Sequence, residues 1–294
     1  MKNNPGKYEI VNCPLCNCRR YEILCKKGQF NLPLNVSICK DCGFVYLNPR
    51  WTKDRYVNFY EYEYDKCYRP EELSCDRKGN NRYERIRQIV ERLKKNNILF
   101  EHSKRIFEIG SGMGWNLEYL KNNYCKEASL YAIELSVNSK KSLSELNIYL
   151  LAKDIDSEWQ TYVDSEFDFI IMRHVLEHCL EPISTLRKVH EVLSNDGILY
   201  IAIPNLIKPD LPLSESHFRV VHTMYFSKNS INSLLSKCGF KTLFITEGDQ
   251  NNPYEIFLVC KKSNITINNH IGLNDYRIVK EHIVKHLVKE NAIL

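Results

Sequence analysis

The stretch that decides the fold is Arg105-Ile-Phe-Glu-Ile-Gly-Ser-Gly-Met-Gly114, in which a short apolar segment runs directly into a glycine-rich loop. The residues after the loop have helical character, so the glycines stand between a predicted strand and the N-terminus of a predicted helix. Glycine lets the backbone turn sharply and approach a ligand closely, and the unbonded N–H groups of the helix N-terminus lie behind it. A dinucleotide-binding loop of the form GxGxxG would need glycine at position 115. Trp115 stands there, which disfavours NAD.

Strand-like and helix-like segments alternate from this loop onward. The predicted strands cover residues 105–109, 130–134, 149–151, 167–172, 197–203, 241–246 and 255–261. The predicted helices cover residues 113–122, 137–146, 182–194 and 228–238. Alternating strands and helices form largely parallel sheets that are covered by helices on both faces. The sequence therefore predicts an α/β domain over residues 81–262, Rossmann-like, with a mostly parallel sheet of seven strands.

The glycine loop and the ends of the next strands predict a cofactor site. Glu134 ends the second strand twenty positions after Gly114, where a carboxylate can accept hydrogen bonds from both hydroxyls of a ribose. The run Glu108-Ile-Gly-Ser-Gly-Met-Gly114 resembles motif I of the class I S-adenosylmethionine-dependent methyltransferases. That resemblance implies that Glu108 lies near the methionine amino group, that Asp154 contacts the adenine amino group and that Ile155 packs on the adenine ring. The full candidate set is Glu108, Gly110, Ser111, Gly112, Gly114, Glu134, Leu135, Asp154, Ile155 and Arg173.

Titratable groups follow the fourth strand, at the edge of the sheet where ligands bind in open α/β folds. His174, Glu177 and His178 are spaced i, i+3, i+4 and share one face if they form a helical turn. The string HVLEH resembles the segment after this strand in many small-molecule and sugar methyltransferases. Histidine can take a proton from a hydroxyl at neutral pH, so we predict His178 as the base and Glu177 as its partner. Two alternative interpretations stay open. In the first, the three side chains bind a divalent cation that acidifies the acceptor, as a related Glu-x-x-Glu-His pattern does in some metal-dependent O-methyltransferases. In the second, the histidines only fill the turn.

A second group of candidates follows the fifth strand, in the stretch from Ser214 to Ser227 that reads SESHFRVVHTMYFS. In the enzymes that this stretch resembles, the loop covers the acceptor, which makes His222 the second catalytic candidate. Arg219 is available for an anionic group of the acceptor. A structural interpretation is also open, because the Tyr-Phe pair could simply pack at the start of the next helix.

Four cysteines near the N-terminus have the spacing of a metal site. Cys13-Pro-Leu-Cys16 and Cys39-Lys-Asp-Cys42 are separated by 22 residues, which is typical of two knuckles that close a tetrahedral zinc site. Asn17 and Gly43 follow the pairs and tolerate the left-handed backbone that a knuckle needs. Four thiolates leave no open coordination position, so we predict a structural Zn²⁺ and a zinc ribbon over residues 1–50. The segment also resembles the N-terminal zinc-binding segment of bacterial methyltransferases that act on nucleotide-linked sugars or polysaccharide precursors.

The remaining segments are less specific. Residues 51–80 are crowded with tyrosine and charge, and we expect a linker or a substrate lid. The tail over residues 263–294 is predicted to be helical, with an apolar stripe suited to the core or to a homodimer contact. The stripe consists of Tyr276, Val279, Ile283 and Leu287.

Composition and charge bound the partners and the location. The chain is 44% apolar and 26% charged, which is typical of a globular protein with a sizeable core. A net charge of +5 permits an anionic partner but does not imply nucleic acid. The start of the chain has no apolar stretch of signal-peptide length, and no segment approaches the roughly 20 apolar residues of a membrane span. We therefore expect a cytoplasmic protein with reduced thiols and no membrane contact.

Together these patterns predict an S-adenosylmethionine-dependent methyltransferase whose acceptor is an oxygen, or as a second option a carbon, of a sugar, a nucleotide-linked sugar or a related polysaccharide precursor. The chain lacks the (Asn/Asp)-Pro-Pro-(Tyr/Phe) string that methylases of exocyclic base amines usually carry, which argues against methylation of DNA or RNA amines. Its N-terminal segment is not plainly basic and offers few aromatic side chains for stacking, which disfavours RNA binding. Two alternatives stay open: an RNA methyltransferase whose zinc ribbon binds RNA, and a catalytically inert module that binds the cofactor or a partner.

Overall fold

The computed structural model describes residues 7–68, 80–263 and 273–290. The strands in these ranges are β1 (Tyr8–Glu9), β2 (Tyr21–Lys27), β3 (Pro33–Cys39), β4 (Val45–Leu47), β5 (Arg50–Trp51), β6 (Arg105–Ile109), β7 (Ser129–Ile133), β8 (Tyr149–Ala152), β9 (Phe167–Arg173), β10 (Leu193–Pro204), β11 (Met224–Tyr225), β12 (Phe240–Glu247) and β13 (Glu255–Lys262). The α-helices are α1 (Lys53–Tyr62), α2 (Tyr64–Tyr68), α3 (Glu84–Lys95), α4 (Trp115–Asn123), α5 (Ser139–Glu145), α6 (Pro182–Val192), α7 (Leu213–Ser216), α8 (Lys228–Lys237) and α9 (Leu273–Lys289). Short 3-10 turns cover Gln29–Asn31, Asn80–Tyr83, Trp159–Tyr162 and Leu176–His178. Within the described ranges, no helix combines the length and the apolar character needed to cross a bilayer.

Seven strands form the central sheet in the order β12-β13-β10-β9-β6-β7-β8. Strands β10, β9, β6, β7 and β8 run parallel to one another, and β13 is antiparallel to both β10 and β12. Only residues 248–254 connect β12 to β13, and so short a connection returns the chain antiparallel, whereas parallel neighbours need a longer crossover. The predicted α/β fold with a mostly parallel seven-stranded sheet is confirmed, and the sheet is mixed at this edge.

Both faces of the central sheet are buried, which explains why its middle strand is apolar almost throughout. In β9, Ile170 and Met172 pack in one apolar cluster, and Phe169 and Ile171 pack in another. Successive side chains of a strand point to opposite faces, so a strand that is buried on both sides reads as a continuous apolar run. Helices α6 and α8 cover the first face, and α3 and α4 cover the second.

The N-terminal residues form a second sheet that shares its core with later parts of the chain. Its strand order is β11-β4-β3-β2, with antiparallel neighbours, and β11 belongs to the segment after β10. Helix α9 packs on this sheet through Val279, Ile283 and Leu287, which are buried in the same apolar cluster as Val36 and Ile38. The predicted stripe of the C-terminal helix therefore faces the core of its own chain.

The described residues 51–68 are more regular than the predicted linker. Helices α1 and α2 lie in the described part, and residues 69–79 lie outside the described residues. Aromatic side chains supply the packed face of these helices: the Phe59 ring lies 5.6 Å from the Trp51 ring and 6.3 Å from the Tyr64 ring, measured between centroids. The sequence shows no clear helical pattern over α1 and α2, because aromatic rings of mixed polarity, rather than aliphatic side chains, occupy the buried positions.

Candidate active site

One cavity lies at the carboxyl ends of the parallel strands, where ligands bind in open α/β sheets. The strand ends and the turns after them supply Ile109, Gly110, Ile133, Glu134, Leu135, Ser136, Lys153, Asp154, Ile155, Asp156, His174, Val175, His178 and Leu180. The opposite wall consists of side chains from α1 and α2, namely Lys53, Tyr56, Val57, Tyr60 and Tyr64. The described part of the segment that the sequence predicted as a linker or a lid thus lines one side of the cavity.

The glycine loop is tightly held between strand and helix. Gly110 and Gly114 have φ angles of +73° and +81°, in the left-handed region that favours glycine. A Cβ atom at Gly110 would lie 2.5 Å from Val175 Cγ2, and one at Gly114 would lie 2.6 Å from Ile148 Cδ1. Close packing therefore requires glycine at both positions, and it brings the loop against the turn that carries the predicted catalytic groups.

The Glu134 carboxylate is fixed at the end of β7 by two backbone donors. Its Oε2 accepts a hydrogen bond of 2.7 Å from Gly112 N, and its Oε1 accepts one of 2.9 Å from Ser136 N. Each carboxylate oxygen can accept a further hydrogen bond. The buried Glu134 side chain borders the cavity, so this geometry suits the role predicted for it, the binding of two ribose hydroxyls.

Glu108 lies beneath the glycine loop and is 2% exposed. Its Oε1 accepts a hydrogen bond of 2.6 Å from Asn116 Nδ2, while Oε2 has no hydrogen-bond partner in the described chain. Burial raises the pKa of Glu108 to about 8, against the opposing effect of the Asn116 hydrogen bond. An unsatisfied buried carboxyl oxygen is costly, and an ammonium group such as that of the cofactor's methionine part would satisfy it.

The other predicted cofactor residues fall into three groups. Leu135, Asp154 and Ile155 line the cavity, as Gly110 and Glu134 do. Asp154 also forms an ion pair of 3.2 Å with Lys53 of α1, a contact that the sequence did not indicate. Ser111, Gly112 and Gly114 belong to the loop itself and are not among the cavity-lining residues. Arg173 forms an ion pair of 2.6 Å with Glu255 instead of bordering the cavity.

The turn after β9 brings the three predicted catalytic groups together, although it is not the α-helical turn that the spacing suggested. His174 has a φ angle of +53°, and a 3-10 turn covers Leu176–His178. Glu177 Oε1 lies 3.4 Å from His174 Nδ1 and 3.9 Å from His178 Nε2. The Glu177 carboxyl group is buried between the two rings. Although burial opposes ionisation, the contact with His174 keeps the pKa of Glu177 below its ordinary value.

His174 is held between two carboxylates, and no sequence pattern indicated one of them, Glu255. Its Nε2 lies 2.6 Å from Oε1 of Glu255, which begins β13, and its Nδ1 faces Glu177. Burial and Arg173 oppose a charge on His174, but the nearby carboxylates of Glu177 and Glu255 raise its pKa. Burial likewise opposes ionisation of Glu255, yet His174 and Arg173 lower its pKa to about 2. His174 is therefore an ion-pair partner more than a proton acceptor.

His178 is oriented by contacts from two distant segments. Its Nδ1 lies 2.9 Å from the carbonyl oxygen of Val221 and 2.8 Å from the hydroxyl of Tyr60 in α1. The carbonyl oxygen can only accept a hydrogen bond, whereas the Tyr60 hydroxyl can donate or accept one, so the two contacts are compatible with either tautomer of His178. In the Nδ1–H tautomer, which satisfies the carbonyl, Nε2 is the atom able to accept a proton. No sequence signal marks Tyr60, because nothing in the local pattern links α1 to this turn.

His222 completes a cluster with the turn after β9. Its ring centroid lies 4.9 Å from that of His178, and its Nδ1 lies 3.1 Å from the carbonyl oxygen of His217. Burial, and then the neighbouring His178, lower the pKa of His222 well below its ordinary value. Potential ligand atoms of Glu177, His178 and His222 all lie within 4.8 Å of one another. The side chains that could share a cation therefore include His222 in place of the predicted His174.

The four N-terminal cysteines form a second cluster. Cys13, Cys16, Cys39 and Cys42 place their Sγ atoms within 4.8 Å of one another. The Sγ–Sγ distances are 3.6 Å between Cys13 and Cys42 and 3.5 Å between Cys16 and Cys39. Asn17 N donates to Cys13 O, and Gly43 N donates to Cys39 O in the same way, so the two pairs form equivalent turns. Asn17 and Gly43 have φ angles of +63° and +72°, as the sequence predicted for knuckles.

Comparisons with known proteins identify the family. The family model described as a methyltransferase domain matches residues 79–243. Among solved structures, the chain is similar to the magnesium protoporphyrin IX methyltransferase of Synechocystis PCC 6803 with bound S-adenosylhomocysteine, at 14% identity and a TM-score of 0.51, over 72% of this chain and 100% of that one.

Two further solved structures are similar to the chain in fold. An O-methyltransferase family protein from Burkholderia thailandensis has 11% identity and a TM-score of 0.50, over 70% of this chain and 64% of that one. The plantazolicin methyltransferase BamL, solved with a desmethyl analogue and S-adenosylhomocysteine, has 13% identity and a TM-score of 0.51, over 71% and 97%. No curated protein matches the sequence. Because the methyltransferase-domain model spans more than half of the chain, the chain belongs to that family and is an S-adenosylmethionine-dependent methyltransferase.

Proposed function

We propose that the protein transfers the methyl group to a hydroxyl oxygen of a sugar, a nucleotide-linked sugar or a related polysaccharide precursor, with His178 as the general base. The observation that carries this proposal is the contact of 2.9 Å between His178 Nδ1 and the Val221 carbonyl oxygen. This carbonyl favours the tautomer with the proton on Nδ1, in which Nε2 is the proton acceptor. The His178 side chain borders the cavity that the cofactor residues line, so acceptor and cofactor can meet beside it.

The reaction requires alignment of the two reactants and removal of one proton. Bound S-adenosylmethionine supplies the electrophilic methyl group. A sugar hydroxyl becomes a good nucleophile only as it loses its proton, and His178 Nε2 is positioned to accept that proton. The ionised Glu177, 3.9 Å from Nε2, stabilises the imidazolium that forms. His174 and Glu255 hold Glu177 in place from the other side.

The cavity wall supports an acceptor with both apolar and polar surface. Tyr56, Tyr60 and Tyr64 line it with aromatic rings, which suit the apolar faces of a sugar ring, and Glu134 and Asp154 supply polar groups. Lys153 is exposed at the rim, where it can meet a phosphate of a nucleotide-linked sugar. A carbon acceptor next to a carbonyl needs the same base, so product analysis must distinguish O-methylation from C-methylation.

We propose that the cysteine cluster holds a structural Zn²⁺. Zinc–sulfur bonds of about 2.3 Å in a tetrahedral site require sulfur atoms somewhat under 4 Å apart, and the distances of 3.5 and 3.6 Å are close to that requirement. Four thiolates leave no position open for a substrate, so the ion would contribute folding energy rather than chemistry.

A divalent cation bound by Glu177, His178 and His222 is the second candidate for acceptor activation. Two imidazoles and one carboxylate suit a first-row divalent metal, and the ligand atoms already lie within 4.8 Å of one another. If this cation takes part, mild chelation that leaves one zinc ion per chain should abolish turnover, and added Mn²⁺ should restore it. If it does not, the same treatment should leave turnover unchanged.

The proposed acceptor class is tested by a screen with methyl-labelled S-adenosylmethionine. We expect label to enter one or more nucleotide-linked sugars and the product to be a methyl ether. Transfer only to RNA, together with retention of RNA at physiological salt, would replace this proposal with the RNA alternative. Affinity for S-adenosylhomocysteine without transfer to any acceptor class would favour an inert binding module.

A further inference from the structure

The four-cysteine module, which is the described part of residues 1–50, and the loop that carries His222 both contribute strands to the sheet β11-β4-β3-β2. Strand β11 pairs antiparallel with β4, with Met224 opposite Tyr46 and Tyr225 opposite Val45. The pairing continues beyond β11, because Leu47 N donates a hydrogen bond of 2.9 Å to the carbonyl oxygen of Thr223. The loop that covers the acceptor side therefore reaches its position by adding a strand to the N-terminal sheet.

The strand that receives this loop begins directly at a cysteine turn. Cys39 N donates to the carbonyl oxygen of Phe44 at 2.9 Å, and Gly43 N donates to the carbonyl oxygen of Cys39 at 2.9 Å. The Phe44 ring lies 5.4 Å from the ring of Phe226, which follows β11. No residue separates Phe44 from β4, so the geometry of the turn sets the position of the strand.

Thr223 connects the same loop to the catalytic turn after β9. Its side chain is buried, with 1% exposure, and its Oγ1 donates to the carbonyl oxygen of Cys179 at 2.6 Å and lies 3.2 Å from the carbonyl oxygen of Glu177. The carbonyl oxygen of Val221, two residues earlier, lies 2.9 Å from His178 Nδ1, and His222 stands between Val221 and Thr223. One residue thus joins the N-terminal sheet, the acceptor loop and the turn that carries the proposed base.

We propose that the four-cysteine module is a positioning element of the acceptor site: through β4 it holds Thr223, and through Thr223 it holds His222 and the Val221 carbonyl against Glu177 and His178. This inference rests on the proposed function in one respect, namely that these groups serve the acceptor. Among the described residues, the hydrogen bonds of the glycine loop and of the Glu134 carboxylate stay within residues 110–142 and do not reach the module. Loss of the metal should therefore loosen the acceptor side and spare the cofactor side.

Two aromatic side chains next to the Cys39–Cys42 turn are already used in this packing. Phe44 and Tyr46 are buried, with 1% and 0% exposure, between the N-terminal sheet and the methyltransferase core. Binding of single-stranded RNA typically needs exposed aromatic rings on which bases stack. The burial of these two rings therefore supports a positioning role of the module more than a role in nucleic-acid binding.

The first test compares Cys39→Ser with Cys18→Ser in the full chain with saturating S-adenosylhomocysteine. Cys18 lies beside the cluster but outside the four cysteines that could share an ion, which makes it the matched control. We expect Cys39→Ser to lose zinc and to speed amide hydrogen exchange at least tenfold over residues 220–226, with the affinity for S-adenosylhomocysteine within threefold of the parent. Unchanged exchange over residues 220–226 after zinc loss would overturn the proposal, as would equal acceleration over residues 105–114.

The second test leaves the cysteines intact, so it remains informative even if zinc loss unfolds the chain. Thr223→Val removes the hydroxyl that donates to Cys179, and Thr223→Ser keeps it. We expect faster exchange over residues 174–179 and 220–226 in the valine variant only, with full zinc content in both. Equal exchange in the two variants would contradict the role of Thr223. Failure of the parent protein to bind S-adenosylhomocysteine would instead contradict the methyltransferase function and would leave these exchange results unaffected.

Discussion

The cofactor half of the site and the acceptor half are built in different ways. Gly110, Glu134 and Asp154 each follow a strand of one sheet, so the register of that sheet places them. The acceptor half joins side chains from distant segments, for example Tyr60 and His178, which are 118 positions apart. The comparison predicts that changes in the first half abolish cofactor affinity, whereas changes in the second half abolish turnover and leave cofactor affinity in place.

The largest expected effect is on turnover in the acceptor half. We expect His178→Ala to lower turnover by about 10²- to 10⁴-fold, the usual contribution of a general base. Its affinity for S-adenosylhomocysteine, measured by calorimetry, should stay within threefold of the parent. His102→Ala, at an exposed histidine, is the matched control and should change neither quantity. Full activity of His178→Ala would rule out His178 as the base and would move the proton transfer to His222.

The next largest effect is on cofactor affinity in the first half. Glu134→Ala should weaken S-adenosylhomocysteine binding by about 100-fold or more, because it removes two hydrogen bonds to a charged group worth about 1.5–3 kcal/mol each. The exposed Glu145→Ala serves as the control and should bind normally. Normal affinity in Glu134→Ala would show that the ribose is bound elsewhere.

These two predictions reflect what the sequence could reveal. The glycine loop, Glu134 and Asp154 were predictable because local patterns mark strand ends and a parallel sheet brings those ends together. Tyr60 and Glu255 were not, since their roles arise from packing of α1 and from the reversed strand β13, which no local pattern encodes. His174, Glu177 and His178 were grouped correctly by spacing, but the spacing gave the wrong turn and did not separate the roles of the two histidines.

A smaller effect is expected at the carboxylate that the sequence missed. Glu255→Gln should lower the free energy of unfolding by about 1–3 kcal/mol at pH 7, because Arg173 and His174 lose their charged partner. The pKa of Glu255 is depressed to about 2 in the folded protein, so its contribution is present above the unfolded pKa and is lost as pH falls from about 5 towards 2. Urea unfolding of parent and variant should therefore give a difference that shrinks over this range. A pH-independent difference would argue against the charge as its source.

The smallest effect is a pH dependence confined to the cofactor half. The pKa of Glu108 is raised to about 8, so the group is mostly protonated at pH 7 and must lose its proton to pair with an ammonium group. Affinity for S-adenosylhomocysteine should rise by up to about tenfold per pH unit below pH 8 and level off above it. Glu108→Gln should flatten this dependence. Binding of the parent that releases no proton, measured by calorimetry in two buffers, would contradict the assignment.

The most direct test of the account is a crystal structure of the full chain with S-adenosylhomocysteine. We predict that the ribose hydroxyls contact the Glu134 carboxylate, that the amino group of the homocysteine part faces Glu108, and that the adenine ring lies beside Asp154 and Ile155. The sulfur atom should then point towards the space bordered by His178. A ligand bound elsewhere, or a cavity that stays vacant at saturating ligand and accepts a nicotinamide dinucleotide instead, would contradict the account.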